Sequence, residues 1–88
     1  MASDHIIVGV HVQDRVQHAQ KVQQILTDYG CSIKTRLGLH EVSDNFCAAS
    51  GMLLLEMVGE EGHIDRMVDS LCALDGVDAK KMVFSHNK

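Results

Sequence analysis

The densest group of side chains able to hold a metal ion lies in one short polar segment, His40 to Cys47, which reads HEVSDNFC. It brings an imidazole, two carboxylates and a thiol into eight residues. Imidazole nitrogen and thiolate sulfur suit zinc, nickel and other borderline metals. Candidate ligands, with zinc or nickel as the expected ion, are therefore His40, Glu41, Asp44 and Cys47. The alternative is an ordinary solvated connection between two strands, because one His and one Cys lack the spacing of a specific metal motif.

A second group of polar side chains falls on three predicted strands. His11 and Glu56 stand near the ends of the first and third strands. We expect these two strands to run side by side in the same direction, which would bring His11 and Glu56 together on the open face of a sheet, with Lys34 of the second strand beside them. Such a group suits a small ligand or a partner subunit. The alternative is that these polar groups only form hydrogen bonds with one another at an interface and bind no ligand.

The sequence predicts a binding protein and not an enzyme. Nucleophilic catalysis needs a base within hydrogen-bond reach of the nucleophile and a third group that orients the base. No serine or cysteine is placed for that arrangement. No glycine-rich phosphate loop is present, and Asp14-Arg15 after the first strand lacks the glycines that shape a phosphate cradle.

The pattern of apolar residues predicts the elements that must position these groups. Alternation is typical of half-buried strands, and a short unbroken apolar run is typical of a central strand. Apolar residues every three or four positions indicate amphipathic helices. We expect Asp14 to cap the first helix and Gly30 to end it in a left-handed conformation. The predicted strands cover 6–12, 31–39, 52–58 and 77–84, and the predicted helices cover 15–29 and 60–74.

This order of elements predicts an α+β fold, the ferredoxin-like βαββαβ sandwich, with a four-stranded antiparallel sheet and two helices on one of its faces. The expected spatial order of the strands is 4-1-3-2. The second strand should place Ile33, Thr35, Leu37 and Leu39 on one side. The open face should carry Ile7, Gly9, His11, Met52, Leu54 and Glu56. No proline and no linker interrupt the pattern, so we expect residues 1–88 to form a single domain.

Composition limits the partners. The 12 acidic and 8 basic residues give a formal charge of −4, which offers no basic patch for nucleic acid. No run reaches the roughly 18–20 apolar residues that span a bilayer, and no signal peptide is visible. Three irregularly spaced cysteines fit free thiols in a reducing compartment, so we expect a cytoplasmic protein that binds no membrane.

Hydrophobic residues make up 45% of the sequence, more than the small core of an 88-residue domain can bury completely. We therefore expect some apolar surface to be left for a partner. The expected partner is a second copy of the chain, in a dimer or tetramer formed through the open face or the edge strands. A separate protein partner is a further expectation.

Short motifs along most of the chain resemble those of a known family. They are Asp14-Arg15 at the start of the first helix, the segment from Ile25 to Gly30, the segment from Lys34 to Leu39, and Asp75-Gly76-Val77 before a lysine-containing last strand. Together they are similar to the small ACT-like proteins described as iron-only hydrogenase system regulators. The resemblance implies an oligomeric ACT-like module that senses a small ligand or metal and regulates a hydrogenase or another redox system.

The resemblance also bears on the candidate sites. The family is similar in fold to the C-terminal domain of the nickel-responsive repressor, where His and Cys ligands from neighbouring subunits hold metal. This implies a comparable role for His40 and Cys47, although no second histidine stands two residues from His40.

Amino-acid-binding ACT domains carry an Asp-Arg-Pro-Gly turn before their first helix. Asp14-Arg15 resembles its first half, while Val16 and Gln17 replace the second. The candidate ligand-binding residues are thus His11, Asp14, Arg15, Lys34 and Glu56. Two alternatives to a ligand sensor stay open, a metal-binding protein that uses His40 and Cys47 and a purely structural oligomerisation unit.

Overall fold

The computed structural model describes residues 4–13, 15–39 and 51–85, and side chains at all of these except 15–19 and 39. Its elements follow the predicted order, and their ends lie within two residues of the predicted ones. They are β1 (His5–Val12), α1 (Arg15–Asp28), a 3-10 turn (Gly30–Ser32), β2 (Ile33–Leu39), β3 (Gly51–Met57), α2 (Glu61–Cys72) and β4 (Val77–Phe84).

The four strands form one sheet in the order β2-β3-β1-β4, with every neighbouring pair antiparallel. This confirms the ferredoxin-like α+β fold and the expected spatial order. The expectation that β1 and β3 run parallel is wrong, because Ile7 lies opposite Glu56 and His11 lies opposite Met52. The connection through α1 makes β2 run in the same direction as β1. Because β3 is antiparallel to β2, it is also antiparallel to β1.

The hydrophobic core lies between the two helices and one face of the sheet, here called the inner face. Strict alternation in β1 places every second side chain in this core. The helices contribute residues at the spacing of a single apolar stripe. The buried set is Ile6, Val8, Val10, Val12, Val22, Leu26, Leu55, Met57, Ile64, Met67, Leu71, Val77 and Ala79.

The end of α1 differs from its prediction. Gly30 has no left-handed φ and instead begins the 3-10 turn, in which the Ser32 N–H donates to the Tyr29 carbonyl at 2.9 Å. The chain thus leaves α1 through a tightened turn that needs no left-handed residue. Among the described residues, left-handed φ values occur at Gly59 (+104°) and at Gly76 (+76°), where a turn before β4 is expected. The predicted cap Asp14 lies outside the described residues.

Helix α2 is held against β4 by an ionic contact on the inner face. The Lys81 ammonium donates to Asp65 and to Glu61, and 21% of its side chain is exposed. The hydrogen bonds to Asp65 and Glu61 raise the pKa of Lys81 above its ordinary value of 10.5. Its neighbour Lys80 lies on the opposite face, opposite Gly9 of β1.

Across the three described ranges, no helix combines the length and the apolar character needed to cross a membrane.

Candidate functional site on the open face of the sheet

The helices leave one face of the sheet uncovered in the described part of the chain, and we call this the open face. Its residues follow from the cross-strand register, because directly opposed residues share a face. The register confirms the six residues expected there and adds His5 and residues of β2 and β4. The open face comprises Thr35 and Leu37 of β2, Met52, Leu54 and Glu56 of β3, His5, Ile7, Gly9 and His11 of β1, and Asp78, Lys80, Met82 and Phe84 of β4.

The open face exposes an unusual amount of apolar surface. Large hydrophobic side chains on it are exposed to 53% at Leu37, 37% at Met52, 37% at Leu54, 54% at Met82 and 50% at Phe84. Single exposed apolar residues are common on protein surfaces, but five on one continuous face indicate an interaction site.

One end of the open face carries a hydrogen-bonded polar group. The Thr35 hydroxyl donates to Glu56 Oε1 at 2.8 Å, and Lys34 Nζ lies 3.8 Å from Glu56 Oε2. The predicted proximity of Lys34 to Glu56 is therefore confirmed. With the Lys34 side chain 63% exposed, such a pair contributes less than about 1 kcal/mol to stability, which leaves both charges available to a partner.

A β-bulge between Ile33 and Thr35 shapes this end of the face. The extra residue, Lys34, shifts the alternation of β2. As a result Ile33 packs against the core while Thr35 and Leu37 lie on the open face, so the expectation that these three share one side is wrong.

His11 does not join Glu56. It lies at the opposite end of the open face, between Met52 of β3 and Asp78 of β4. Four residues along β1 separate His11 from Ile7, the partner of Glu56, and this corresponds to about 13 Å. The predicted grouping of His11 with Glu56 and Lys34 is wrong, because it depended on β1 and β3 running in the same direction.

His11 instead borders a shallow depression of about 220 Å³ on the open face, lined by Gly9, His11, Met52, Asp78 and Lys80. We call it the Gly9 depression. Gly9 stands between Leu54 and Lys80 in the register and contributes no side chain, so the surface is hollow there. An acid, a base and an imidazole surround the hollow, and Met52 gives it an apolar wall.

Sequence reasoning missed Asp78 and Lys80. Residues two apart in the predicted strand 77–84 share one side, and the expected order 4-1-3-2 places that strand beside the first. Combining these two observations would have located both residues near His11.

The remaining candidate residues receive no structural test. Asp14 and the predicted metal ligands His40, Glu41, Asp44 and Cys47 lie outside the described residues, as does the side chain of Arg15. Within the described ranges, no three His, Cys, Asp or Glu side chains come close enough together to hold a metal ion.

No family model matches the sequence, and no curated protein matches it. Solved structures do match. The uncharacterized protein TM1266 from Thermotoga maritima has a TM-score of 0.78 at 20% identity, over 92% of this chain and 98% of that one.

CPII, a nitrogen regulatory PII-like protein from Thiomonas intermedia bound to ADP, AMP and bicarbonate, has a TM-score of 0.58 at 12% identity, over 98% of this chain and 96% of its own. A formyltetrahydrofolate deformylase from Pseudomonas putida has a TM-score of 0.56 at 11% identity, over 89% of this chain and only 28% of its own. At these identities the similarity shows the fold alone. The chain has the ferredoxin-like fold, which it shares with a PII-like regulatory protein.

Proposed function

We propose that this protein is a small regulatory binding module that self-associates through the open face of its sheet and responds to a small ligand. The observation that carries the proposal is the continuous apolar surface formed by Leu37, Met52, Leu54, Met82 and Phe84. A second copy of the chain is the partner that we infer for this surface, and two arguments support that choice.

The first argument is area. Strands of 7 residues are about 23 Å long, and four strands spaced about 4.8 Å apart are about 19 Å wide. Two such faces therefore cover about 900 Å² as flat projections, and more when the relief of the side chains is included. Specific interfaces begin near 1,000 Å² in total. The open face is thus large enough for a weak dimer, with a dissociation constant in the micromolar range or above.

The second argument is charge. Around its apolar centre the open face carries two carboxylates, Glu56 and Asp78, and the ammonium of Lys80, and the ammonium of the bulge residue Lys34 lies beside Glu56 at its edge. A surface with equal numbers of both signs can pair with a copy of itself. It does not attract a strongly charged partner such as nucleic acid.

The regulatory part of the proposal has a different support. The short motifs resemble those of the iron-only hydrogenase system regulators, and the chain shares its fold with CPII, which is bound to ADP, AMP and bicarbonate. Small ligands are therefore compatible with this fold, although a fold by itself does not assign a function. Because no described cluster has the geometry of a nucleophile with its base, we propose binding and not catalysis.

Self-association can be tested with two matched variants, Leu54→Lys and Val83→Lys. The two side chains are exposed to 37% and 38%, but Leu54 lies on the open face and Val83, opposite Ile6, on the inner side. Sedimentation velocity across a hundredfold range of concentration should show a dimer or larger assembly for the wild type and for Val83→Lys. Leu54→Lys should be monomeric, because a buried ammonium without a partner is costly.

Circular dichroism checks that both variants keep the fold. A wild type that stays monomeric at the highest concentration would overturn the proposal. Equal assembly of a folded Leu54→Lys variant would show that the open face is not the interface.

A further inference from the structure

We propose that the Gly9 depression binds a small zwitterion, a molecule of amino-acid size whose ammonium and carboxylate are several ångströms apart. The inference names the ligand class for the function proposed above, and it rests on that function only for the regulatory role of the ligand. Three features of the described residues support it.

The first feature is the glycine itself. Gly9 lies in the middle of a central strand, where glycine weakens the strand and often marks a bulge, a tight bend, or the close approach of a ligand or another backbone. The register of β1 with both neighbours is unbroken at Gly9, so no bulge explains it. Its φ is not left-handed, so the backbone does not require glycine. A Cβ built at this position would meet Leu54 Cδ2 at 3.8 Å, an ordinary contact, so packing does not require it either. What glycine provides here is the open space.

The second feature is the arrangement of charges. Asp78 and Lys80 stand two residues apart on the same face of β4, and this places their Cα atoms about 6.7 Å apart. Among the described residues, no ion pair and no side-chain hydrogen bond involves Asp78, Lys80 or His11. Both charges are therefore available to a ligand.

A zwitterion fits this arrangement better than a simple ion does. Lys80 would donate to the ligand carboxylate, and Asp78 would accept from the ligand ammonium. His11, directly opposite Asp78, adds an imidazole that can donate or accept. A ligand with only a carboxylate would pair with Lys80 and leave the Asp78 carboxylate without a partner. A ligand with only an ammonium would pair with Asp78 and leave the Lys80 ammonium without one.

The third feature is size. The depression measures about 220 Å³, below the roughly 300 Å³ at which pockets for drug-sized ligands begin. A short carbon chain lying along Met52 would fill it, whereas a nucleotide would not fit within it.

The test is a titration of ¹⁵N-labelled protein with 4-aminobutanoate, followed by amide chemical shifts. Butanoate and butylammonium serve as comparisons, since each keeps one of the two charges. We expect saturable shifts around Gly9, His11 and Asp78, with a dissociation constant on the order of 1–10 mM because the site is open and the ligand is small. Both comparison compounds should bind at least tenfold more weakly.

Three variants localise the site. Gly9→Val fills the hollow and should abolish binding, and its thermal unfolding verifies that the fold persists. Asp78→Asn should abolish the preference for 4-aminobutanoate over butanoate. Lys21→Gln, at an exposed position of α1 on the other side of the sheet, should bind like the wild type. Absence of saturable shifts, equal binding of butanoate, or undiminished binding by a folded Gly9→Val variant would each overturn the inference.

Sedimentation of the same samples separates this inference from self-association. Binding of 4-aminobutanoate to a protein that stays monomeric would support the site and overturn the dimer. Because the proposed dimer would cover the Gly9 depression, the titration is run at a protein concentration at which the wild type is monomeric. Absence of binding by that monomer, in a protein that dimerises at higher concentration, would overturn the site and leave self-association standing.

Discussion

Replacing Gly9 with alanine should stabilise the protein and weaken its ligand binding at the same time. Gly9 has an ordinary strand conformation, and an added Cβ would contact Leu54 Cδ2 at 3.8 Å without displacing it. Alanine therefore reduces the conformational freedom of the unfolded chain and introduces no strain in the folded one. The expected gain is about 0.5–1 kcal/mol. For a domain of this size, that gain raises the melting temperature by about 2–8 °C.

Urea denaturation, followed by circular dichroism, measures this gain. Gly76→Ala is the matched control, because Gly76 has a φ of +76° and alanine there should cost about 1–2 kcal/mol. The titration with 4-aminobutanoate, repeated on Gly9→Ala, should show weaker binding than the wild type. A destabilised Gly9→Ala variant would refute the claim that packing does not require glycine. A stabilised variant with full binding would refute the claim that the open space serves a ligand.

Two further predictions concern other parts of the chain. The contacts with Asp65 and Glu61 raise the pKa of Lys81, so the stability they provide should be complete below about pH 10.5 and lost as the pH rises through the raised value. As the pH rises above about 10.5, the urea midpoint should fall less in Lys81→Met than in Lys80→Met, because Lys81→Met has already lost the contact. An equal fall in both variants would contradict the assigned contact. For the metal hypothesis, native mass spectrometry of protein purified without chelators should show zinc or nickel in the wild type and less in His40→Ala and Cys47→Ser. Unchanged metal content in both variants would refute His40 and Cys47 as ligands.

Alternation alone predicted much of the fold. The run from Ile6 to Val12 determines which side chains of β1 enter the core, because a strand has a period of two and only one face meets the helices. The same rule placed Gly9, His11 and Leu54 on the open face, as the register confirms.

The errors arose where one strand must be related to another. Strand direction decides whether His11 lies near Glu56 or about 13 Å from it, and the residues of each strand taken alone do not encode that direction. The bulge at Lys34 depends in the same way on how β2 pairs with β3. Asp78 and Lys80 were missed because they act with residues on another strand.

The ion pairs of Lys81 have a consequence for the size of any assembly. A charged side chain on the inner face of the edge strand β4, and a bulge in the opposite edge strand β2, are two devices that discourage strands of other molecules from adding to a sheet. Growth through edges could continue indefinitely, since each added copy presents a new edge. Pairing through the open face is saturated as soon as two copies meet. Self-association through the open face, as proposed above, would therefore give closed pairs and not extended sheets.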